Sequence, residues 1–142
     1  MGTRREGRQA ALQLIYQVDA ARRFDDVEQA ISEHFDNLAP ETDQDTRAFA
    51  TELCSGVAAR LDEIDALLEL ASKNWRLERM SQVDRNVLRL ATYELLSDPS
   101  VPPKAVINEA IELGKAFGSA ESAAFINGVL DRVLKETSSS DR

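Results

Sequence analysis

The sequence has few of the residue types that catalysis, metal binding and disulfide formation require. It contains one cysteine, Cys54, and one histidine, His34, so neither an intrachain disulfide nor a cysteine and histidine metal cluster can form. The Gly114-Lys115 pair lacks the earlier glycine and the following hydroxyl residue of a phosphate-binding loop. We therefore expect no enzymatic activity, no metal and no cofactor, with Cys54 as a buried thiol and His34 in a surface or capping position.

Long hydrophobic runs are also absent. No stretch approaches the roughly 18 apolar residues that a membrane-spanning helix needs. The start of the chain carries charges without the apolar segment of a secretion signal, and Glu6 stands where a myristoylation signal needs a hydroxyl residue. We expect a cytoplasmic protein with no membrane partner.

Proline and glycine are scarce, with four and six residues respectively, and apolar residues recur every three or four positions. This periodicity predicts an all-α fold of six to seven helices. The helical pattern predicts a single all-helical domain over residues 1–136. A serine-rich polar tail over residues 137–142 is expected to be disordered.

The first half of the chain is predicted to contain three helices. The apolar spacing favours helices over residues 4–22 and 26–36. After a break at a proline, Asp43 or Asp45 is suited to cap a long third helix that extends through Leu68.

Capping residues mark the helices of the second half. Ser81 and Asp84 resemble a capping box at the start of a helix that ends near Ser97. Gly118 stands where glycine favours the end of the next helix, and Ser119 is suited to cap the last one.

The negative charge of the chain, −8 in total, is unevenly distributed. Residues 1–24 carry five arginines against two acids, whereas residues 25–80 carry 14 acids against five bases. The basic N-terminal segment is suited to hold RNA phosphates, and the acidic middle is suited to a basic protein partner. A purely solubilising role for the acids is an equally open interpretation.

The first predicted helix carries a basic and aromatic stripe. Arg8, Leu12 and Tyr16 follow one another at four-residue spacing, and Arg5 and Gln13 lie beside that line, away from the apolar face. Arginine neutralises phosphate and tyrosine stacks on bases, so this stripe suits single-stranded RNA. The alternative is an arginine-rich helix start with Tyr16 packed against a neighbouring element.

Three stretches resemble the NusB family of bacterial transcription antitermination factors, and together they cover most of the chain. The last stretch contains the family's N-E-A, F-G, S-x-x-F and N-G-V-L-D motifs. The stretches are RREGRQAALQLIYQ at residues 4–17, VDRNVLRLATYEL at residues 83–95, and VPPKAVINEAIELGKAFGSAESAAFINGVLDRV at residues 101–133.

The resemblance implies a NusB-like fold of two packed three-helix halves without enzymatic activity. It also implies binding of the boxA element of ribosomal RNA leader transcripts together with the small-subunit ribosomal protein NusE. This pair would load RNA into an antitermination complex on RNA polymerase with other Nus factors. A basic ribosomal protein would complement the acidic middle of this chain.

The resemblance further assigns residues to the two expected interfaces. Glu78 and Asp84 are the expected protein-partner residues, although helix capping accounts for Asp84 equally well. Among the RNA residues, the helical pattern favours an exposed Phe125 and a buried Phe117. The residues that the resemblance assigns to RNA binding are Arg4, Arg5, Arg8, Gln13, Tyr16, Phe117, Glu121 and Phe125.

Two features depart from the family pattern. Glu6 interrupts the basic cluster, and Glu121 places a negative charge within the expected RNA surface. We therefore expect RNA binding to depend strongly on NusE.

Other functions are compatible with parts of this pattern. A ribosomal RNA cytosine methyltransferase carries a similar helical module, but its dinucleotide-type glycine loop has no counterpart here. A helical protein-interaction adaptor without specific RNA binding, in which the arginines are incidental, is the alternative function. A homodimer is equally compatible with the sequence, since spare apolar residues such as Leu12 could pack against a second copy.

Overall fold

Helices form most of the part of the chain that the structure, a computed structural model, describes: residues 3–73 and 75–140, with side chains for residues 4–73 and 75–137. Within this part there are seven α-helices and no strand, which confirms the all-α prediction. The helices are α1 (Thr3–Ala21), α2 (Val27–Glu33), α3 (Gln44–Ala59), α4 (Leu61–Ser72), α5 (Gln82–Ser97), α6 (Pro103–Phe117) and α7 (Ser122–Ser140).

The chain divides into two compact units, Met1–Ala59 and Arg60–Arg142. The first unit contains three helices, α1 to α3, as the family resemblance implies. The second contains four, α4 to α7, and thus one more helix than the resemblance implies.

The predicted long third helix is wrong, because it is two helices in the structure. Arg60 has φ −115° and ψ 22°, outside the helical region, and α4 begins at the next residue. The Arg60 guanidinium binds both carboxylate oxygens of Glu63, at 2.9 and 2.8 Å. Asp62 and Glu63 in the first turn favour a new helix N-terminus electrostatically. No proline or glycine stands at this point, so the apolar periodicity continues across the break.

In the first unit, α1 packs closely along α3. The apolar face of α1 is fully buried, and α3 contributes Leu53 and Val57 to the same core. Gly7 permits this approach, because a Cβ atom at Gly7 would lie only 2.5 Å from Cδ2 of Phe49. The buried residues of α1 are Ala11, Leu12, Leu14, Ile15 and Val18.

In the second unit, α7 packs against α4, α5 and α6. Ile126 and Leu130 of α7 are completely buried. A bidentate ion pair joins α4 to α5, with Arg89 Nε 2.9 Å from Asp65 Oδ1 and Arg89 Nη2 2.9 Å from Asp65 Oδ2. Arg89 Nη1 also donates to Asn86 Oδ1 at 3.0 Å, so the buried guanidinium is held by several polar groups.

The predicted boundaries of α5 and the predicted end of α6 are confirmed. The Asp84 amide donates to Ser81 Oγ at 3.1 Å, and α5 ends at Ser97. At the end of α6, the Gly118 amide donates to the Gly114 carbonyl. Gly118 has φ −101°, so the backbone here does not require the positive φ that glycine readily adopts. Glycine instead fits because a Cβ atom at this position would collide with Ser122 Oγ.

The start and the end of α7 differ from the sequence-based expectation. The helix begins at Ser122, and the predicted cap at Ser119 is wrong, because the Ser119 amide donates to Ser122 Oγ at 2.9 Å. The Phe125 amide donates to the Glu121 carbonyl, which places Glu121 at the N-cap. As described, α7 extends to Ser140 and so enters the segment for which the sequence favours disorder; residues 141–142 lie outside the described part.

Candidate nucleic-acid interface

The stripe predicted on α1 does not lie on one exposed surface. Arg8 and Leu12 are only 9% and 5% exposed, whereas Tyr16 is 43% exposed. The cause is helical geometry, since each four-residue step turns about 40° around the axis. Arg8 therefore borders the face that packs on α3, and Tyr16 faces solvent. Arg5, Gln13 and Tyr16 belong to the exposed polar face of α1.

Arg4 and Arg8 share one aromatic ring of α3. The guanidinium carbon of Arg4 lies 4.4 Å from the Phe49 ring centroid, and that of Arg8 lies 5.5 Å from it. The same ring packs against Gly7. Cation–π contacts of this kind hold a guanidinium in place while its N–H edges stay directed outward. The sequence places Phe49 on a core stripe, but it gives no sign that Phe49 supports the two arginines.

The basic charge of the N-terminal segment is partly neutralised within the first unit. Arg23 binds Asp26 at 2.7 Å and Glu33 at 2.9 Å. Its guanidinium holds the pKa of Glu33 below the usual value, mainly through the hydrogen bond. Arg23 is therefore engaged in a local ion-pair network. Arg4 and Arg5 are exposed near the start of α1.

The second set of expected RNA residues surrounds the turn between α6 and α7. Phe117 is the last residue of α6 and is 51% exposed, so its predicted burial is wrong. Phe125 is half-buried rather than exposed, because its ring packs against Trp75 in an edge-to-face contact with centroids 6.1 Å apart. Glu121 is exposed, and its Oε1 accepts a 3.3 Å hydrogen bond from Ser119 Oγ.

Trp75 is the aromatic residue that sequence reasoning missed. It is the single tryptophan of the chain, and its side chain is 52% exposed. It stands between α4 and the short 3₁₀ turn Leu77–Arg79, outside any apolar helical stripe. Its position between two periodic segments was the available signal, because a tryptophan in a connecting segment often serves a binding surface.

The two expected partner residues occupy different environments. Glu78 is exposed in the turn after Trp75, with a carboxylate oxygen 3.9 Å from the Arg76 guanidinium. Asp84 is half-buried in the first turn of α5, where its backbone amide completes the Ser81 cap. Its Oδ1 atom is buried without a hydrogen-bond partner, so the return half of a capping box through that oxygen is absent.

The remaining candidate reactive groups lie inside the first unit. Cys54 is a buried free thiol, as predicted, and burial raises its pKa to about 12. His34 is only 5% exposed, so its predicted surface position is wrong, whereas the alternative capping position agrees with its place at the C-cap of α2. Burial lowers the pKa of His34, and its Nδ1 has no hydrogen-bond partner. Among the described residues, no cluster of histidine, cysteine and acidic side chains is arranged to hold a metal.

None of the described helices combines the length and the apolar character needed to cross a membrane.

Comparisons with known proteins identify similar chains and folds. The sequence profile of the NusB family matches residues 5–135. The chain is 51% identical over 135 residues to the transcription antitermination protein NusB of Myxococcus xanthus, which covers 94% of this chain and 95% of that relative.

Two solved structures share the fold. A crystal form of T. maritima NusB aligns with a TM-score of 0.82 at 41% identity, covering 94% of this chain and 91% of that one. A crystal structure of the antitermination factors NusB and NusE in complex with double-stranded RNA aligns with a TM-score of 0.77 at 26% identity, covering 96% and 98%.

Proposed function

Because the chain belongs to the NusB family of transcription antitermination proteins, we propose that it binds the boxA element of ribosomal RNA leader transcripts together with NusE. In this role the two proteins and the RNA join an antitermination complex on RNA polymerase with other Nus factors, and ribosomal RNA transcription becomes processive. The role is non-enzymatic, and we infer a cytoplasmic location because bacterial transcription takes place there.

The exposed face of α1 is the observation that carries the RNA part of the proposal. Arg5, Gln13 and Tyr16 offer a cation, an amide and an aromatic ring on one solvent-facing side of a helix. Arg4 is also exposed, and its guanidinium is held over the Phe49 ring. These groups supply the phosphate contacts, the hydrogen bonds and the stacking that single-stranded RNA recognition uses.

The turn between α6 and α7 supplies further RNA contacts in this proposal. Phe117 has an exposed ring at the end of α6, suited to stacking on an unpaired base. Glu121 adds a negative charge at the start of α7, which opposes phosphate and favours contact with base or ribose donors instead. Phe125 acts mainly through its contact with Trp75.

The partner part of the proposal is supported by charge and by a structural neighbour. The segment 25–80 carries a large acidic excess, which complements a basic ribosomal protein. A structural neighbour of this chain contains NusB and NusE in complex with double-stranded RNA, which supports the proposed partners. We assign Glu78 to the NusE contact, and Asp84 to the same contact in addition to its place in the α5 cap. A homodimer would need a surface other than Leu12, because Leu12 is buried within the first unit.

The proposal is tested by titrating a labelled boxA RNA and a scrambled RNA, each with and without NusE, at two salt concentrations. We expect a preference for boxA that is strongest with NusE present. Equal affinity for the two RNAs in all conditions would contradict the boxA assignment. Binding of NusE without any RNA binding would instead support the protein-interaction adaptor.

The variants for this titration should avoid residues that also support the fold. Arg5→Ala and Tyr16→Ala alter exposed side chains of α1, whereas Arg8→Ala would also remove a buried contact with Phe49. We expect each exposed variant to weaken boxA binding roughly fivefold or more, consistent with a single stacking or phosphate contact. Lys104→Ala, an exposed cation in α6 outside the proposed surfaces, is the matched control and should leave binding unchanged.

A further inference from the structure

A cleft of about 350 Å³ lies in the second unit, between the end of α4 and one side of α7. Its walls combine two aromatic rings with two cations, and none of the residues that line it is acidic. Two small residues of α7 also line it. The six residues that define this aromatic cleft are Lys73, Trp75, Ala124, Phe125, Gly128 and Arg132.

Trp75 is fixed in the aromatic cleft by its backbone rather than by burial. Ser72 Oγ donates to the Trp75 carbonyl at 2.7 Å, and the Trp75 amide donates to the Ser72 carbonyl at 3.2 Å. Ser72 itself is buried. The Phe125 ring meets the indole at an interplanar angle of 74°, which is an edge-to-face contact. Half of the tryptophan surface thus stays exposed on a rigid support, which is the arrangement of a stacking platform.

The two cations stand beside this platform. Arg132 Nη1 donates to the Ala71 carbonyl at 3.0 Å, which tethers the guanidinium at the C-terminal end of α4. Lys73 follows directly after α4 and is exposed. An aromatic face with adjacent positive charges is complementary to a nucleotide, in which a flat base is joined to a phosphate.

Gly128 gives an independent indication that the cleft is occupied in function. Glycine inside a helix weakens the helix and is usually required by close packing. At Gly128, however, a Cβ atom would meet no atom of the described residues within 4 Å, apart from its chain neighbours and the backbone of its own helix. The space that a side chain would fill is the cleft itself, so the glycine keeps the cleft open rather than admitting a neighbouring helix.

We propose that Trp75 stacks on one base of the bound RNA in the aromatic cleft, while Lys73 and Arg132 contact a phosphate next to that base. Phe125 is a positioning residue that holds the indole edge-on. This inference rests on the proposed RNA-binding function and adds three residues to it, Lys73, Trp75 and Arg132.

The single tryptophan makes the test direct. Stacking of a base on Trp75 quenches its fluorescence, and Trp75 is the sole source of tryptophan emission in the chain. We expect boxA RNA to quench this emission with the same midpoint that fluorescence anisotropy of the labelled RNA reports. Inorganic tripolyphosphate, which carries the charge without a base, should not quench it. When NusE is present, the emission of the complex that contains the Trp75→Phe variant is subtracted as background, which leaves the emission of Trp75.

Variants separate stacking from folding. Trp75→Leu should lower RNA affinity about tenfold, and Trp75→Phe should restore most of it, because stacking needs an aromatic ring. Gly128→Leu should fill the cleft and lower affinity to a similar extent while circular dichroism stays unchanged. Leu70→Ala, which trims another exposed apolar side chain near the end of α4, is the matched control and should retain full affinity.

Four results would overturn the inference. RNA binding with full anisotropy change but unaltered Trp75 emission would place the base elsewhere, as would full affinity in Trp75→Leu. Quenching by NusE alone, with no further change on adding RNA, would assign the cleft to the protein partner. Absence of RNA binding with and without NusE would refute the proposed function itself, and the inference with it.

Discussion

Removing Asp65 should destabilise the second unit strongly, because it leaves a buried guanidinium without its carboxylate. Arg89 has a side chain that is 7% exposed, and its ion pair with Asp65 consists of two parallel hydrogen bonds of 2.9 Å. Breaking a buried pair from one side costs about 3–5 kcal/mol. Asp65 is 23% exposed, so water can partly replace its carboxylate in the variant. We therefore expect Asp65→Ala to lower the free energy of unfolding by about 3 kcal/mol, the lower end of this range.

Thermal unfolding followed by far-ultraviolet circular dichroism measures this effect. A loss of about 3 kcal/mol corresponds to a fall in the unfolding temperature of roughly 6–12 °C for a chain of this size. Glu69→Ala, which removes an exposed acid from the same helix, should change stability by no more than about 0.5 kcal/mol.

A double variant tests the reason for the effect. Asp65→Leu combined with Arg89→Met removes both charges, so no buried charge is left unpaired, and the stability should return close to that of the wild type. A double variant as unstable as Asp65→Ala would show that packing, rather than the unpaired charge, explains the loss. A loss below about 1 kcal/mol in Asp65→Ala would refute the argument from burial.

Three further predictions concern single residues. The pKa of Cys54 is about 12 in the folded protein against 9.0 for the free thiol, so the unfolded chain releases this proton first as pH rises. The free energy of unfolding should therefore fall by about 1 kcal/mol by pH 10. An equal fall of stability with pH in Cys54→Ala would refute this. Burial lowers the pKa of His34, the single histidine, so stability should decrease as pH falls below about 6.5, where the unfolded state takes up the proton. Urea unfolding at pH 7.5 and 5.5 should show a smaller decrease for His34→Gln, and identical decreases would contradict the prediction. Gly128→Ala should raise the free energy of unfolding by about 1 kcal/mol, because alanine is the better helix former and its methyl group meets open space. A lower urea midpoint for this variant would contradict the prediction.

Local patterns were sufficient to predict most helices, and the errors have identifiable physical causes. The ends of α1 and α5 follow from apolar spacing and from the Ser81 cap, which act within a few residues. The break at Arg60 could not be predicted, because no helix-breaking residue stands there. An arginine and a glutamate three residues apart, such as Arg60 and Glu63, can also form an ion pair within a continuous helix, so this pair does not indicate a new helix start.

The candidate site was harder to predict than the fold, because exposure depends on neighbours that are distant in sequence. Four-residue spacing suggested that Arg8 and Tyr16 share a surface, but α3 covers the first and leaves the second open. Phe117 and Phe125 exchange their expected environments, since one ends a helix and the other meets Trp75. Nothing in a periodic pattern indicates the contact between Trp75 and Phe125, which are 50 positions apart in the chain.

In the proposed RNA surface, the Phe49 ring would influence RNA binding without contacting RNA. A flexible arginine loses rotational freedom when it grips a phosphate, and that entropic penalty weakens the complex. The guanidinium of Arg4, held 4.4 Å from the Phe49 centroid, has lost much of this freedom before any RNA arrives. For the proposed RNA surface, the affinity of an arginine on α1 is therefore partly determined by an aromatic side chain on α3.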